Sequence, residues 1–183
     1  MQTFAITVAL ATLASSVSAQ YFGLIAARSA SPIHLREINA NDFGLYIGKD
    51  TSSYCPEVDA GSCPAGNVTE FAINDEAGSL SMGVVVPGGQ QAYIDGCSGA
   101  ISYTQAHSAA IPDGAIVEGW TLSQGDQFGS LSWTNGLYAC PVENATDVYQ
   151  VFAAVEDIEF SDACLGFDAL ATNFTEAGAW QYN

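Results

Sequence analysis

Short runs in which apolar and polar residues alternate recur along the whole chain, and no stretch keeps the spacing of an amphipathic helix. The runs are rich in aromatic and β-branched residues, and Gly, Asn, Asp and Ser separate them, which is typical of β-strands joined by turns. The pattern therefore predicts an all-β protein. Twelve strands are predicted: Tyr21–Ala27, His34–Ala40, Phe43–Gly48, Val68–Ile73, Ser79–Val86, Gln91–Asp95, Ala100–Thr104, Gly119–Leu122, Ser130–Thr134, Leu137–Cys140, Tyr149–Val155 and Cys164–Leu170.

The predicted strands divide into three groups of four. The segments Gly78–Met82 and Gly129–Trp133 are similar, and they open the second and third groups. This faint threefold repeat favours a β-trefoil, and a two-sheet β-sandwich or a Greek-key barrel is the alternative. The longest segments without a predicted strand are Asp50–Gly66 and Gln105–Val117.

The first 19 residues have the pattern of a secretory signal peptide. The apolar stretch Phe4–Leu13 is followed by the small residues Val17, Ser18 and Ala19, although Lys and Arg are missing before it. This pattern predicts cleavage after Ala19. The expected organisation is a signal peptide at 1–19 and one secreted all-β domain at 20–183, with no stretch that reaches the ~20 apolar residues of a membrane span.

Three N-glycosylation sequons agree with secretion. They begin at Asn67, Asn144 and Asn173, and each is an acceptor if the chain passes through a eukaryotic endoplasmic reticulum. Glycans at these positions would help to keep a chain that is 49% hydrophobic in solution.

The five cysteines are expected to form disulfides in an oxidising compartment. None of them forms a C-x-x-C pair, which argues against zinc-ribbon and thioredoxin-like sites. Several pairings are open, and the sequence favours Cys55–Cys63, within one Gly- and Pro-rich loop, and Cys140–Cys164, which would join the last strands. Cys97 is then unpaired, either as a buried thiol or as a link to another chain.

The charge of the chain restricts its partners. It has 3 Lys and Arg residues against 20 Asp and Glu residues, a formal net charge of −17, and no basic residue after Lys49. Such a charge opposes binding to nucleic acid phosphates or to anionic lipid. Salt bridges are nearly unavailable in most of the chain, so stability should rise as the pH falls towards about 5 and carboxylate repulsion weakens.

Catalytic motifs are missing from the sequence: it has no nucleophile elbow, no H-E-x-x-H helix and no P-loop. His107 and Ser108, with Asp113 and Glu118 nearby, are the one local grouping to consider as a general base, and a polar loop histidine explains them better. No catalytic residue and no cofactor is therefore predicted. Paired carboxylates of a glycosidase type are a less favoured alternative, because the 20 acidic residues indicate no particular pair.

Two further groups are candidate binding sites. The acidic cluster at 156–162 supplies oxygen ligands for Ca²⁺ but lacks the EF-hand spacing, so a solvated loop is favoured and no metal site is predicted. Trp120 and Trp133 alternate with small polar residues, as core-facing strand residues do. Trp180 lies near the C-terminus and is the best candidate for an exposed aromatic ring that contacts glycan.

Several motifs together resemble a known family. They are Tyr21–Ala26, Gly119–Leu122, Gly129–Trp133, Leu137–Pro141, Tyr149–Ala154 and Cys164–Phe167. In these motifs the chain resembles the fungal secreted cell wall protein PhiA family, which includes reported antigens. The resemblance implies a secreted, glycosylated, wall-associated protein of filamentous fungi that is linked to the development of phialides and conidia. The motifs are strand cores, turns and a Cys-Pro pair, and none is a catalytic signature.

The sequence and the resemblance together favour a non-enzymatic, extracellular wall glycoprotein. Its expected partners are cell wall polysaccharide or wall glycoproteins, contacted through aromatic and polar loop groups, and neither nucleic acid nor a membrane. A secreted effector or antigen that binds carbohydrate or a host is the alternative, and a small secreted glycoside hydrolase is less favoured.

Overall fold

The computed structural model describes residues 20–59, 61–125 and 127–183, so the predicted signal peptide at 1–19 lies outside the described residues. Within these ranges, no helix is long and apolar enough to cross a membrane. The elements are β1 (Tyr21–Ala27), β2 (Arg36–Asn41), β3 (Gly44–Ile47), β4 (Ser53–Tyr54), a 3₁₀ turn (Glu57–Asp59), β5 (Phe71–Asn74), β6 (Ser79–Met82), β7 (Ala92–Ile94), β8 (Ile101–Tyr103), β9 (Trp120–Ser123), β10 (Gly129–Trp133), β11 (Leu137–Pro141), β12 (Tyr149–Ala153), β13 (Leu165–Phe174) and β14 (Gln181–Tyr182).

Six strands close into a barrel in the order β1, β2, β3, β12, β11 and β13. The closing contact is the antiparallel pair of β1 and β13, which extends from Tyr21 opposite Phe174 to Ala27 opposite Asp168. The start of β13 pairs on its other edge with β11. The long strand β13 therefore joins the first and last parts of the chain.

Three hairpins extend from the barrel. The β5–β6 hairpin is attached to β1, the β7–β8 hairpin to β3, and the β9–β10 hairpin to β13. Each predicted strand overlaps a strand of the structure, so the all-β class is confirmed, and the short strands β4 and β14 are additional. The trefoil is not confirmed, because a trefoil has one hairpin in each third of the chain. Here the three hairpins follow one another between β3 and β11, so the barrel alternative describes the fold.

The barrel core is filled by the buried residues of alternating strand positions. Phe22 and Leu24 of β1 are buried with Ile38 of β2, Ile47 of β3 and Val151 of β12. A six-stranded barrel has a narrow interior, so small side chains are needed beside these larger ones. Six alanines on barrel strands are almost completely buried: Ala26, Ala40, Ala139, Ala153, Ala169 and Ala171.

Two disulfides fasten loops to this framework. Cys55 is bonded to Cys63, and Cys140 of β11 is bonded to Cys164 just before β13, which are the two pairs predicted from the sequence. Cys97 is unpaired, as expected, but its side chain is exposed. The interpretation of Cys97 as a buried thiol is therefore wrong: the residue lies in a solvent-facing turn between β7 and β8.

The three basic side chains are held by neutral oxygen atoms. Arg28 Nη1 donates to Gly166 O (2.6 Å), and Arg36 Nη1 donates to Asp147 O (3.1 Å). Lys49 Nζ donates to an amide oxygen at 3.3 Å. Across the described ranges, none of the three forms an ion pair with a carboxylate, so the fold is stabilised by apolar burial, hydrogen bonds and disulfides.

The segment 175–183, which we name the C-terminal clasp, crosses several parts of the fold. Ala179 O accepts from Val85 N (3.1 Å), and Asn183 N donates to Ser52 O (3.1 Å). Tyr182 is hydrogen-bonded through its main chain to the side chain of Gln90, with Oε1 accepting at 2.7 Å and Nε2 donating at 2.9 Å. The clasp thus ties the hairpins to the loop that follows β3.

Candidate functional site

An aromatic groove runs beside the β7–β8 hairpin and the loop that follows β8. Its volume is about 480 Å³. Aromatic, aliphatic and neutral polar residues line it: Phe43, Tyr93, Tyr103, Thr104, Gln105, Ser108, Ala110, Ile111 and Pro112. These described lining residues include no Asp, Glu, Lys, Arg or His, so the groove presents no charged side chain to a ligand.

Phe43 enters the groove from the tight turn between β2 and β3. Because Asn41 pairs with Gly44, Asp42 and Phe43 are the two turn residues, and their φ angles are positive, at 51° and 55°. Asn-Gly and Asp-Gly prefer this conformation in two-residue hairpins, and a bulky residue rarely adopts it. Strained residues are concentrated at functional sites. The conformation of Phe43 therefore suggests that the ring has a use in the groove.

Tyr103 of β8 forms the floor beneath Phe43. The two ring centroids are 5.7 Å apart, and Tyr103 N donates to Phe43 O at 3.3 Å. The phenol donates to Asn183 O at 3.3 Å, which links the floor to the C-terminal clasp. Burial raises the pKa of Tyr103 far above its ordinary value, so the phenol stays neutral at every physiological pH.

The remaining groups give the groove a ring face and hydrogen-bonding atoms. Tyr93 is half-buried on β7 opposite Ser102, while Gln105 is exposed in the following loop. Ser108 N donates to Gln105 O at 3.2 Å, which shapes this loop. Aromatic faces together with a few neutral donors and acceptors suit a neutral ligand with both apolar and hydroxyl surfaces, such as a sugar.

A second cavity lies at the end of the barrel where β1 ends and β13 begins. It also has a volume of about 480 Å³, but it is lined by groups of opposite charge, including Arg28 and Asp168, beside His34 and Tyr138. Arg28 N donates to His34 Nδ1 at 3.2 Å. The Tyr138 ring is stacked on Phe160 with centroids 4.6 Å apart. Because one face of Tyr138 is already covered, this cavity suits a neutral sugar less well than the aromatic groove does.

The structure places the tryptophans as follows. Trp120 and Trp133 pack together with ring centroids 5.2 Å apart, and Trp133 Nε1 donates to Ala154 O at 2.9 Å. Trp120 is buried, and Trp133 is half-buried and packs against the core, in agreement with their alternation. Trp180 is half-buried in the C-terminal clasp, where its carbonyl accepts from Val86 N at 3.0 Å. Trp180 lines neither of the two cavities described above. The glycan contact predicted for Trp180 therefore stays a prediction, and it is separate from the aromatic groove.

The histidine grouping is not assembled into a catalytic arrangement. His107 is exposed in a turn with a φ of 59°. Ser108 uses its hydroxyl to accept from Ala110 N at 3.1 Å. All four members of the grouping are described residues, and the structure shows no hydrogen bond from His107 to Ser108, Asp113 or Glu118.

The acidic cluster after β12 lies along an exposed loop, with Glu156, Asp157, Glu159 and Asp162 facing solvent. Within the ranges that the structure describes, no group of three or more His, Cys, Asp or Glu side chains is placed to hold a metal ion. The loop therefore gives no support to Ca²⁺ binding at this cluster.

The three sequon asparagines have exposed side chains. Asn67 precedes β5, Asn144 lies in the β11–β12 turn, and Asn173 lies near the end of β13. Asn173 Oδ1 accepts from Gln20 Nε2 at 3.0 Å, which leaves the amide nitrogen available. The fold is thus compatible with a glycan at each position.

Sequence reasoning did not identify the groove residues. It placed Phe43 inside the predicted strand Phe43–Gly48 and Tyr93 inside Gln91–Asp95. A signal existed for Phe43, because a large ring between Asp42 and Gly44 is unusual at a hairpin turn. The sequence contains no such signal for Tyr93, because the alternation around it is that of any strand with one buried face.

Comparisons with known proteins place the chain among secreted proteins. The model of a family described as "PhiA-like secreted protein" matches residues 22–183. A curated protein of Arthroderma benhamiae, described as an uncharacterized secreted protein, is 39% identical over an alignment that covers 75% of this chain and 73% of that protein. No solved structure gives a significant match.

Proposed function

Since this chain belongs to the PhiA-like secreted protein family and is a secreted protein, we propose that it is a non-enzymatic glycoprotein of the fungal cell wall that binds a neutral wall polysaccharide in the aromatic groove. A contribution to wall structure and to the development of phialides and conidia forms part of the same proposal. The barrel would serve as a rigid support that presents the groove.

One observation carries this proposal: the groove combines three aromatic rings with neutral polar groups, and none of its described lining residues is charged. The surrounding molecule has a net charge of −17 and would repel an anionic polymer. An uncharged polymer such as chitin or β-glucan meets no such repulsion. Its pyranose rings offer C–H faces for the aromatic rings and hydroxyls for Gln105 and Ser108.

The proposal is tested by a pull-down of the glycosylated protein 20–183 on insoluble chitin, β-glucan and whole fungal wall at about pH 5, where self-repulsion among its carboxylates is weakened. Bound protein and released reducing sugar are measured in the same tubes. Binding without sugar release is expected. Release of sugar would instead indicate a hydrolase, and binding to none of the polymers would indicate a diffusible binding protein or antigen.

Replacement of Tyr93 by Ala is expected to weaken polysaccharide binding by about fivefold or more, because tyrosines are enriched among the contact residues whose truncation removes more than about 1 kcal/mol of binding energy. Phe43→Gly should weaken binding similarly while preserving the fold, since Asp-Gly is a preferred pair for this turn. Binding isotherms on the polymer selected by the pull-down measure both effects.

Tyr54→Ala is the matched control for these variants. Tyr54 is a 52% exposed tyrosine on β4, outside the groove. The Tyr54→Ala variant should bind polysaccharide as the unmodified protein does. Equal binding by Tyr93→Ala, Phe43→Gly and Tyr54→Ala would reject the groove as the binding site.

Removal of N-glycans is expected to lower the apparent mass in up to three steps, one for each exposed sequon asparagine. Single Asn→Gln variants at Asn67, Asn144 and Asn173 should each remove one step, as read by gel mobility or mass spectrometry of the protein secreted by a fungal host. An unchanged mass after enzymatic deglycosylation would contradict the glycoprotein assignment.

A further inference from the structure

A cleft that the groove does not use lies where the segment before β5 meets the C-terminal clasp. We name it the Glu70 cleft. It has a volume of about 250 Å³, and its lining includes Asn67, Glu70, Thr175, Glu176 and Gly178. One side comes from the segment 64–70 and the other from residues 174–178, so the cleft is a seam between two distant parts of the chain. The seam is held by a hydrogen bond from Gly66 N to Gly178 O at 2.9 Å.

Glu70 lines this cleft with a carboxylate that lacks a full set of partners. The residue is only 5% exposed, and its Oε2 is buried without a hydrogen-bond partner among the described residues. Two glycines fix its stem: a Cβ added at Gly83 would lie 2.8 Å from Glu70 Cβ, and one added at Gly178 would lie 3.1 Å from Glu70 Cγ. The carboxylate is therefore held at the seam, where a buried acceptor without a partner is unfavourable.

The Lys and Arg side chains offer this carboxylate no positive charge. The sequence contains no Lys or Arg after Lys49, and the three basic residues donate to other oxygen atoms elsewhere. The nearby phenol of Tyr182 is already used, since it accepts from Glu70 N at 3.0 Å and donates to Val68 O at 2.8 Å. Glu176 adds a second carboxylate to the same cleft. When this carboxyl is ionised, a cation from outside the chain would supply the positive charge that the nearby side chains lack.

The side chains that line the cleft indicate which cation fits. The two carboxylates, the Asn67 amide and the Thr175 hydroxyl are hard oxygen ligands, and no His or Cys is among the described lining residues. Ligands of this kind favour Ca²⁺ over zinc or copper. With only two carboxylates, waters and main-chain carbonyls must complete the shell, which corresponds to weak extracellular sites with a Kd on the order of 10⁻⁴–10⁻³ M.

We propose that the Glu70 cleft is a Ca²⁺ site in which Glu70 and Glu176 provide the carboxylate ligands. The ion joins the segment before β5 to the C-terminal clasp, so its binding stabilises the clasp against opening. This site is separate from the aromatic groove and does not depend on the polysaccharide proposal.

The test is a CaCl₂ titration of chelator-treated, glycosylated protein 20–183, followed by calorimetry and by thermal unfolding. One ion per chain is expected, and the Tm should rise by about 3–6 °C at a tenfold excess over the Kd. NaCl of equal ionic strength corrects for general screening of the negative chain. Glu70→Gln, which keeps the shape of the side chain, and Glu176→Gln should each lose the calorimetric signal and most of the Tm rise.

Glu118→Gln is the matched control, because Glu118 is exposed and lies outside the cleft. It should retain both signals. An equal Tm rise in all variants, or a Tm rise no greater than that produced by NaCl, would overturn the proposal. Loss of polysaccharide binding in Tyr93→Ala with Ca²⁺ binding intact would show that the two sites are independent of each other.

Discussion

Truncation of Tyr182 to Ala is expected to lower the free energy of unfolding by about 4 kcal/mol, since removal of a buried large aromatic ring costs about 3–5 kcal/mol and hydrogen bonds are lost with it. Tyr182 is completely buried. Its phenol accepts a hydrogen bond from Glu70 N and donates one to Val68 O, so the variant also leaves these two main-chain groups without partners. Urea unfolding followed by tryptophan fluorescence measures the difference.

The reason for so large an effect is the position of Tyr182 in the C-terminal clasp. The buried polar residues of the described chain are Thr69, Glu70, Gln90 and Thr104. The Gln90 side chain is hydrogen-bonded to the main chain of Tyr182 and to Thr104 O. Glu70 N donates a hydrogen bond to the Tyr182 phenol. The ring therefore seals a polar network that water would otherwise enter.

Two variants separate packing from hydrogen bonding. Tyr182→Phe keeps the ring and should cost about 1–3 kcal/mol, the expected penalty for unpaired buried groups. Tyr54→Ala, at an exposed site, should cost well under half of the Tyr182→Ala effect. If Tyr182→Ala and Tyr54→Ala unfold at the same urea concentration, the clasp does not contribute to global stability.

Glu70→Gln is expected to remove most of the decrease in stability that the unmodified protein shows as the pH rises through the range 5 to 7. Burial raises the pKa of Glu70 from its ordinary value of 4.5 to about 7 in the folded protein. Between these two values the folded chain keeps a proton that the unfolded chain has lost, so stability decreases as the pH rises. The decrease begins near the unfolded-state pKa and is complete once the pH exceeds the folded-state pKa.

Urea unfolding at several pH values between about 4 and 8, in the presence of a chelator, tests this expectation across the titration range of the carboxyl. Tyr182 and Glu176 are the other titratable groups at the seam, and neither supplies a positive charge. Glu118→Gln should keep the full pH dependence, and Glu70→Gln should keep only the shallow slope that comes from general carboxylate repulsion. Equal slopes for the two variants would contradict the assignment to Glu70.

The net charge predicts that the protein is more stable under acidic conditions. The structure points to Glu70 as the residue expected to contribute most of this pH dependence. Among 20 acidic residues, the sequence gives Glu70 no distinguishing mark. Its position inside the predicted strand Val68–Ile73 does not reveal its burial. Burial follows from the approach of Gly178 and Tyr182, more than a hundred residues away in the chain.

The candidate groove shows the same limit. Phe43 is far in sequence from Tyr93 and Gln105, and the pairing of β3 with β8 brings the turn that carries Phe43 to the strand and loop that carry the other two. The sequence favours Trp180 as the exposed aromatic residue because Trp180 lies near the C-terminus. The structure places Trp180 half-buried in the clasp, because β14 pairs with β4 and draws the end of the chain onto the fold.

The sequence by itself determined the all-β class, the approximate positions of the strands and the scarcity of ion pairs, and it favoured the two disulfide pairs. These properties are local or compositional: alternation marks a strand with one buried face, and Gly, Asn and Asp mark turns whatever the partner strand is. Only the tertiary structure decided the closure of the barrel by β1 and β13, the run of three consecutive hairpins, and the contents of the groove and the Glu70 cleft. The physical reason is that a strand pattern specifies which face is buried but not which neighbour covers it, and that choice depends on the packing of the whole chain.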